Sequence, residues 1–424
     1  MILKIQKRVA VCEVPLKSFI AQRRKLILIV AASLAFATKA ALSVTTYGTN
    51  DILFWEADIR KIQSDGGLAL YRDGAVPTLG GKHYGVERFN QPPFMVHAFR
   101  AGGVAAAVSG IPFRVWLRIT CAAADIGILL LVRGIMGIGS QLALSRLLPV
   151  ALSPVLILVS GFHGNTDSVM VLFLLLSIYL VQSGRPAWQA GAALGMAANI
   201  KVIPLIFVPV ILMYLPTTRR RVEFALSAAG IWLAGSMPYF ARDPALVFRS
   251  VFGYSGVSNY WGLSAIASLI SGDALKAYRA FGKPLALAAA LVASWGIHLW
   301  AGRASLFLRC AFIAFLFLFV LSGFGTQYLV WLAPWSAVFP WRKVRWHYAL
   351  SSVFLCAYYG LWSRGKWYLA NTLEVTPHPP KEALVAILAV ACWVSVGAMV
   401  IVCGQELRKQ LGRNHQSMSG AASQ

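Results

Sequence analysis

The stretch VMVLFLLLSIYLV, residues 169–181, carries no charged side chain. Three other runs, at residues 26–36, 122–132 and 312–321, are almost as apolar, and with their flanks they approach the roughly 17–25 residues that a helix needs to cross a bilayer. Of the 424 residues, 58% are hydrophobic and 13% are charged, about half the charged fraction of an ordinary soluble domain. These runs predict an all-α polytopic membrane protein. They exclude a soluble enzyme, a coiled coil and a disordered chain, and they disfavour a porin-type barrel, whose strands alternate in short segments.

The net charge of +24 comes from 39 Lys and Arg against 15 Asp and Glu. Much of the excess lies in short segments between the apolar runs, which indicates the positive-inside rule rather than nucleic-acid binding. We therefore expect these segments at the cytoplasmic face, next to the anionic inner leaflet. The six cysteines are scattered singly and form no CxxC pair, so neither a disulfide framework nor a zinc site is predicted.

Apolar runs and basic clusters together predict about twelve transmembrane helices with both termini inside. The predicted spans are residues 25–43, 113–136, 142–160, 169–181 and 187–200, a sixth that ends near 215, then 224–239, 284–300, 311–322, 328–339, 347–361 and 383–403. Pro204 and Pro209 interrupt the sixth span. A long polar first outer loop follows span one, and residues 94–108 are predicted to form an interfacial or re-entrant helix. We expect one domain, residues 1–415, and a disordered tail, residues 416–424.

Asp51 follows the first span in the run Thr49-Asn50-Asp51, and an apolar run comes directly after it. At the membrane edge, partial desolvation would raise the pKa of this carboxyl group and suit it to accept a proton. The alternative is that Asn50 or Asp51 only caps an interfacial helix. Asp58 lies seven residues further on and would share the same helical face.

Two further polar groups interrupt apolar sequence at the ends of spans. The turn His163-Gly164-Asn165-Thr166-Asp167 is dense in donors and acceptors and would suit an oxygen-rich ligand, unless it is an ordinary connection between spans. Lys201 lies in a nearly apolar stretch just before a proline, which favours a kinked site that lines a cavity. Its alternative role is to snorkel to the outer headgroups.

A third group of candidates falls on later outer segments. Arg249, Asn259 and Trp261 precede the eighth span, and Gln327 and Tyr328 follow the ninth. The aromatic members could stack on sugar rings or belong to the aromatic belt at the membrane surface.

One charged pair and one lysine lie within the first two predicted spans, and several motifs of soluble enzymes are missing from the sequence. Arg118 and Asp125 lie on one face of span two and are expected to form a structural polar contact, and Lys39 is expected to snorkel to the headgroups. The sequence contains no Walker loop, no GxGxxG between a strand and a helix, no GxSxG and no HExxH. We therefore expect no nucleotide-binding fold and no cofactor.

The order of these motifs resembles the GT-C superfamily, multi-spanning glycosyltransferases that use polyprenyl-phosphate sugars as donors. The resemblance covers about residues 51–334 and rests on short motifs at residues 47–51, 66–71, 91–93, 118–125, 163–169, 190–204 and 326–334. The turn at 163–169 is similar to the His-Gly motif of dolichyl-phosphate-glucose transferases. The Ile-Lys-x-x-Pro run around Lys201 looks like that of bacterial polyprenyl-phosphate-mannose transferases. The Gln-Tyr-x-x-Trp-x-x-Pro run that starts at Gln327 resembles GPI and bacterial mannosyltransferases.

This resemblance implies roles for individual residues. Asp51 would be the catalytic base, His163 and Lys201 would bind the donor phosphate, and Gln327 and Tyr328 would line the cleft. We add Arg249 to the phosphate-binding candidates only as an outer-face cation. The remaining candidates for substrate contacts are Asp58, Asn165, Asp167, Asn259 and Trp261. Metal-using relatives pair acids in the first loop, whereas Asn50-Asp51 offers one. This departure disfavours a bound metal, and a divalent ion stays the alternative.

The resemblance further implies an inverting transfer of a hexose, mannose or glucose, from a polyprenyl-phosphate donor to a glycan or glycolipid acceptor. The expected location is the inner (plasma) membrane, with the site on the periplasmic side. A secondary transporter or lipid flippase is the alternative, because it would share the spans, the embedded Lys201 and the broken helices. A structural subunit of a cell-envelope complex is a third interpretation.

Overall fold

The computed structural model describes residues 2–137, 142–254, 256, 261–301, 304–363, 369–370 and 378–422. Within these residues the strands are four two-residue segments and most of the remaining chain is helical, so the predicted all-α class is confirmed. The α-helices are α1 (Ile2–Thr45), α2 (Asn50–Asp65), α3 (Gly67–Asp73), α4 (Phe94–Ser109), α5 (Phe113–Met136), α6 (Leu142–Ala151), α7 (Pro154–Leu158), α8 (Asp167–Gln182), α9 (Ala187–Ile200), α10 (Val208–Tyr214), α11 (Thr218–Phe240), α12 (Pro244–Gly253), α13 (Gly262–Ile270), α14 (Gly272–Trp300), α15 (Leu306–Val320), α16 (Trp341–Leu361) and α17 (Pro379–Ala422).

Several helical segments are long and apolar enough to cross a membrane. Five of them meet this criterion within the described chain: Arg23–Thr45, Phe113–Met136, Leu144–His163, Gly272–Trp300 and Pro379–Gln410. Shorter apolar helices add Phe94–Ser109, Asp167–Gln182, Ile203–Tyr214, Pro244–Gly253 and Leu306–Val320. By length and composition the fold is that of a multi-pass membrane protein, as predicted. The division into one domain and a tail stays a prediction.

Prolines break the predicted third span into short pieces. Pro149 lies inside α6 and Pro154 begins α7, after which a π-helix, Val159–His163, ends the segment. A proline has no N–H for the helical ladder, so a span that contains two of them is segmented. The break delivers His163 to the end of the segment, where the chain turns.

The predicted tenth span, residues 328–339, also differs from a continuous α-helix. The chain here forms two 3₁₀ helices, Thr326–Trp331 and Ala333–Val338, with Pro334 in the first turn of the second. Both are largely buried, so this segment packs inside the helical bundle.

The first outer loop folds into α2, α3 and a small hairpin. Strands β2 (Thr78–Leu79) and β3 (Lys82–His83) pair antiparallel, whereas β1 (Gly48–Thr49) pairs in parallel with β4 (Leu369–Ala370). The β1–β4 pair holds the residues just before Asp51 against a distant part of the chain. It therefore fixes where α2 begins.

The predicted roles of Arg118, Asp125 and Lys39 are corrected. Arg118 is buried and donates to the main-chain carbonyls of Ser43 and Thr46 at 2.8 and 2.9 Å, so it caps the end of α1. Lys39 does not snorkel: it is 3% exposed and pairs with Asp125 at 2.6 Å. A charge that is buried in a helical bundle must be compensated by a hydrogen bond or an opposite charge. Arg118 and Asp125 on α5 are both compensated by groups on or next to α1 rather than by each other.

Candidate active site

Asp51 lies at the first turn of α2 and accepts two hydrogen-bond contacts on one oxygen. Its Oδ2 lies 3.0 Å from His163 Nε2 and accepts a bond from Asn165 Nδ2 at 2.7 Å. The Asp51 side chain keeps 32% of its surface exposed, whereas that of His163 keeps 3%. The structure therefore brings Asp51 next to the turn at 163–167, and Oδ1 accepts no hydrogen bond within the described residues.

Two glycines allow this close approach. Gly164 has φ +77°, and a Cβ there would lie 2.6 Å from the Ile52 side chain of α2. Gly48 has φ +114°, and a Cβ there would lie 2.9 Å from the Phe162 carbonyl oxygen. Both backbone conformations favour glycine, and both positions lack room for a side chain. The start of α2 can therefore pack directly on the turn at 163–165.

His163 is held on its other side as well. Its Nδ1 lies 2.8 Å from Tyr359 Oη on α16, and its main-chain carbonyl accepts a bond from Thr49 Oγ1 at 3.1 Å. With both ring nitrogens engaged, the imidazole has a fixed orientation toward Asp51. His163 is not among the residues that line the cavity described below. This geometry suits a residue that positions Asp51, and phosphate binding by His163 stays a prediction.

Lys201 joins the same network through Asn165. Its Nζ donates to Asn165 Oδ1 at 2.9 Å and to Asp167 Oδ2 at 2.7 Å, and Trp331 Nε1 donates to the other oxygen of Asp167. Lys201 is 8% exposed, so the predicted snorkelling alternative does not apply. A buried lysine of this kind requires a carboxylate partner, and Asp167 supplies it.

The end of α9 explains how Lys201 reaches this position. Lys201 has extended backbone angles and caps α9, and a 3₁₀ helix, Ile203–Phe207, follows with Pro204 in its first turn. The helical ladder stops at the lysine, as the sequence predicted from the proline. Lys201 therefore lies at a helix break beside a cavity.

A cavity of about 150 Å³ lies against this network. Its wall contains five of the predicted residues, Asp51, Asn165, Lys201, Gln327 and Tyr328. The ring of Tyr328 lies 6.0 Å from Lys201 Nζ. The other polar residues of the wall are Glu87, Asn90, Gln91, Tyr254, Lys283 and Ser322. The cavity thus combines carboxylates, amides and two lysines with aromatic surface, which suits an anionic ligand that also carries hydroxyl groups.

The electrostatics of the carboxylates differ from the expectation. Burial alone would raise the pKa of Asp51, but the neighbouring His163, the hydrogen bond from Asn165 and the charge of Lys201 outweigh burial and lower it. The expected increase is therefore wrong, and Asp51 is held ionised. Burial of its carboxyl group, followed by the charge of Asp51, raises the pKa of Glu87 to about 7, although part of the residue is exposed.

Several predicted site residues lie away from the cavity wall. Arg249 is exposed on α12 and does not line it. Asp58 is buried on α2 and does not line the cavity. Burial, followed by the negative charge of Glu87, raises the pKa of its carboxyl group well above the usual value. Trp261 is buried, stacks on Phe324 at 3.8 Å and is a packing residue in this fold. Asn259 lies outside the described residues.

Sequence inspection missed three residues of the site: Glu87, Lys283 and Tyr359. Glu87 lies in an irregular part of the outer loop, and Tyr359 lies in a span rich in aromatic residues, so neither stood out. Lys283 did carry a signal, since it is a lysine directly before Pro284 at the start of a predicted apolar span. Within the described chain, no group of three His, Cys, Asp or Glu side chains could hold a metal ion.

A known protein family matches the part of the chain that contains the turn and Lys201. Residues 159–232 match the family model described as Mannosyltransferase (PIG-M). Over 95 residues the chain is 30% identical to GPI mannosyltransferase 1 of Debaryomyces hansenii, a match that spans 22% of this chain and 23% of that protein. The solved structure of ArnT from Cupriavidus metallidurans, bound to undecaprenyl phosphate, is similar with a TM-score of 0.48 and 14% identity, over 90% of this chain and 77% of that chain.

The matched segment contains the turn at 163–167 and Lys201. It does not contain Asp51, nor the cavity residues on α14 and on the 3₁₀ helix Thr326–Trp331. The predicted resemblance to the GT-C glycosyltransferases is thereby confirmed, and the segment that contains His163, Asn165 and Lys201 is similar to the mannosyltransferase (PIG-M) family.

Proposed function

We propose that this protein is an inverting glycosyltransferase that moves a hexose from a polyprenyl-phosphate donor to a hydroxyl group of a glycan or glycolipid acceptor. The matched family segment favours mannose over glucose as the sugar. We place the protein in the inner (plasma) membrane, with the site on the periplasmic side. Nucleotide sugars are not available on that side, so a membrane lipid would have to carry the sugar there.

One observation supports this proposal most strongly. Asp51 is held ionised by His163 and Asn165 at the wall of a cavity that also carries Lys201. The side chain is 32% exposed, and its second oxygen accepts no hydrogen bond within the described residues, so it is arranged to accept a proton from a bound hydroxyl group. The lysine side of the same cavity suits the phosphate of the donor.

The reaction would proceed in one displacement. Asp51 accepts the proton of the acceptor hydroxyl, whose oxygen forms a bond to the anomeric carbon. The bond from that carbon to the phosphate oxygen breaks at the same time, and the electron pair leaves with the polyprenyl phosphate. A cationic group beside the phosphate stabilises the charge that develops on the departing oxygen, which is electrostatic catalysis by a preorganised site. Attack opposite to the leaving group inverts the configuration.

A second, apolar cavity supports a lipid-linked substrate. It has a volume of about 380 Å³ and lies among α4, α5, α8 and α9, with Phe99, Phe113 and Phe173 in its wall. Thr166 and Ile200, the direct sequence neighbours of Asn165 and Lys201, also line it. A hydrocarbon chain in this cavity would therefore run close to the network that faces the polar cavity.

The test is transfer by the purified protein in detergent or nanodiscs. Polyprenyl-phospho-mannose and polyprenyl-phospho-glucose are offered separately with glycolipid acceptors, and products are identified by mass spectrometry and the anomeric configuration by NMR. We expect mannose transfer with inversion. Vesicles that show counterflow of a solute, with no sugar transferred from either donor, would contradict the proposal and support the transporter alternative.

A further inference from the structure

Lys283 brings a second cation to the polar cavity from the side of α14. Its Nζ donates to the main-chain carbonyls of Phe252 and Tyr254, the latter at 3.1 Å, and the residue lines the cavity with Asp51 and Lys201. The two carbonyls hold the ammonium group in a fixed position at the end of α12. An ammonium group has three donors, so one N–H remains for a ligand.

Close packing of α14 puts the lysine there. A Cβ at the preceding residue, Gly282, would lie 2.4 Å from the Ser322 side chain, so only glycine permits this contact between α14 and the segment after α15. Ser322 and Gly323 are themselves part of the cavity wall. Lys283 therefore enters the cavity as part of a built wall and not as a mobile surface side chain.

The two lysines of the cavity differ in how their charge is compensated. Lys201 is neutralised by Asp167 at 2.7 Å, and both side chains are buried. Both hydrogen-bond partners of Lys283 are neutral carbonyl groups, and no described carboxylate forms an ion pair with it. Lys283 thus carries a positive charge that no described carboxylate pairs with, whereas the charges of Lys201 and Asp167 cancel each other.

We propose that Lys283 binds the donor's phosphate group and stabilises it as the leaving group. This inference rests on the proposed function and assigns the phosphate position within the same cavity. Lys283 would have the phosphate-binding role that was predicted for Arg249, which does not line the cavity. As the bond between the anomeric carbon and the phosphate oxygen breaks, the electron pair passes to that oxygen, and the free N–H of Lys283 donates to the phosphate. No proton is transferred from the lysine.

The experiment compares phosphate-dependent binding in variants that separate charge from hydrogen bonding. Lys283→Gln retains a donor for the two carbonyls and removes the charge, and Lys283→Arg retains both. Lys276→Gln is the matched control, because Lys276 lies on the same helix, is exposed and pairs with Asp273. Undecaprenyl phosphate and undecaprenol, which lacks the phosphate, are titrated against each protein in detergent, and donor KM and kcat are measured in the transfer assay.

We expect Lys283→Gln to weaken binding of undecaprenyl phosphate about 10- to 100-fold, the usual effect of losing one charge-assisted hydrogen bond, and to leave undecaprenol binding unchanged. Lys283→Arg should remain within about threefold of the unsubstituted protein. Should the Gln variant not fold, Lys283→His provides the test, because it should gain affinity relative to the unsubstituted protein as the pH falls through about 6.5.

Undiminished binding of undecaprenyl phosphate by Lys283→Gln, or a His variant with no such gain, would overturn the assignment. The same experiments distinguish a failure of the Lys283 assignment from a failure of the proposed glycosyltransferase function. Sugar transfer by the unsubstituted protein combined with normal binding by Lys283→Gln refutes only the role of Lys283. Loss of phosphate-dependent binding in a protein that transfers no sugar refutes only the transferase.

Discussion

Replacement of Asp167 by Asn should strongly destabilise the protein, because it removes the charge that neutralises Lys201. Lys201 Nζ lies 2.7 Å from Asp167 Oδ2. The side chain of Lys201 is 10% exposed to solvent, and that of Asp167 is fully buried. Asn preserves an oxygen acceptor for Trp331, so the substitution changes mainly the charge. Removing one partner of a buried ion pair costs about 3–5 kcal/mol, since the other charge stays buried without compensation.

The assay is equilibrium unfolding of the purified protein during titration with a denaturing detergent, followed by tryptophan fluorescence. The matched control is Asp273→Asn, because Asp273 pairs with Lys276 at 3.1 Å while both side chains are largely exposed. That variant should leave the free energy of unfolding close to its original value. The double variant Lys201→Met with Asp167→Asn should recover about half or more of the loss, since no buried charge then remains.

Equal effects of Asp167→Asn and Asp273→Asn would refute this reasoning. So would a double variant whose loss is the sum of the two single losses, because additive effects indicate that the two groups do not interact. Either result would mean that Lys201 is compensated by another group or is accessible to water. The assignment of Lys283 as the uncompensated cation of the cavity would then need a different basis.

Three further predictions concern the groups around this network. Because the pKa of Glu87 is about 7, this carboxyl is mostly neutral at about pH 6 and mostly ionised at about pH 8, where it repels the donor's phosphodiester. The donor KM should therefore rise roughly fivefold between about pH 6 and pH 8, which corresponds to about 1 kcal/mol of repulsion between like charges in a partly solvated cavity. Steady-state kinetics of Glu87→Gln should show no such rise. Tyr359→Phe removes the contact to His163 Nδ1 and should lower kcat about 3- to 10-fold with an unchanged donor KM; an unchanged kcat would show that the imidazole is fixed without it. Lys39→Met leaves Asp125 buried and unpaired and should cost about 3–5 kcal/mol in the detergent titration, whereas an unaltered unfolding curve would show that the pair does not stabilise the fold.

The hydropathy pattern correctly predicted that Asp51, His163 and Lys201 lie together at the ends of apolar helical segments. Asp51 follows α1, His163 ends the segmented third span and Lys201 ends α9, so three apolar runs that end at the same face were enough to bring these residues together. The proline after Lys201 also predicted the helix break correctly. The length of an apolar run must match the thickness of the bilayer core, so the end of such a run indicates how deep a residue lies in the membrane.

The pairing of charges could not be predicted from the same pattern. Lys39 and Asp125 lie on different helices, and which faces of α1 and α5 meet depends on packing rather than on hydropathy. Arg118 was expected to contact Asp125 on its own helix but instead binds carbonyls of α1. Glu87 enters the cavity from an irregular loop, where no helical or strand period relates sequence position to direction.

The most direct test of the account is the comparison of sugar transfer by the protein before and after Asp51→Asn substitution. Asn keeps the size of the side chain and an acceptor for Asn165, but it cannot accept the proton of the acceptor hydroxyl. We predict that kcat falls by about 10²–10⁴-fold while binding of the polyprenyl-phosphate donor is retained. Full transfer activity of Asp51→Asn would contradict the central claim that Asp51 is the catalytic base.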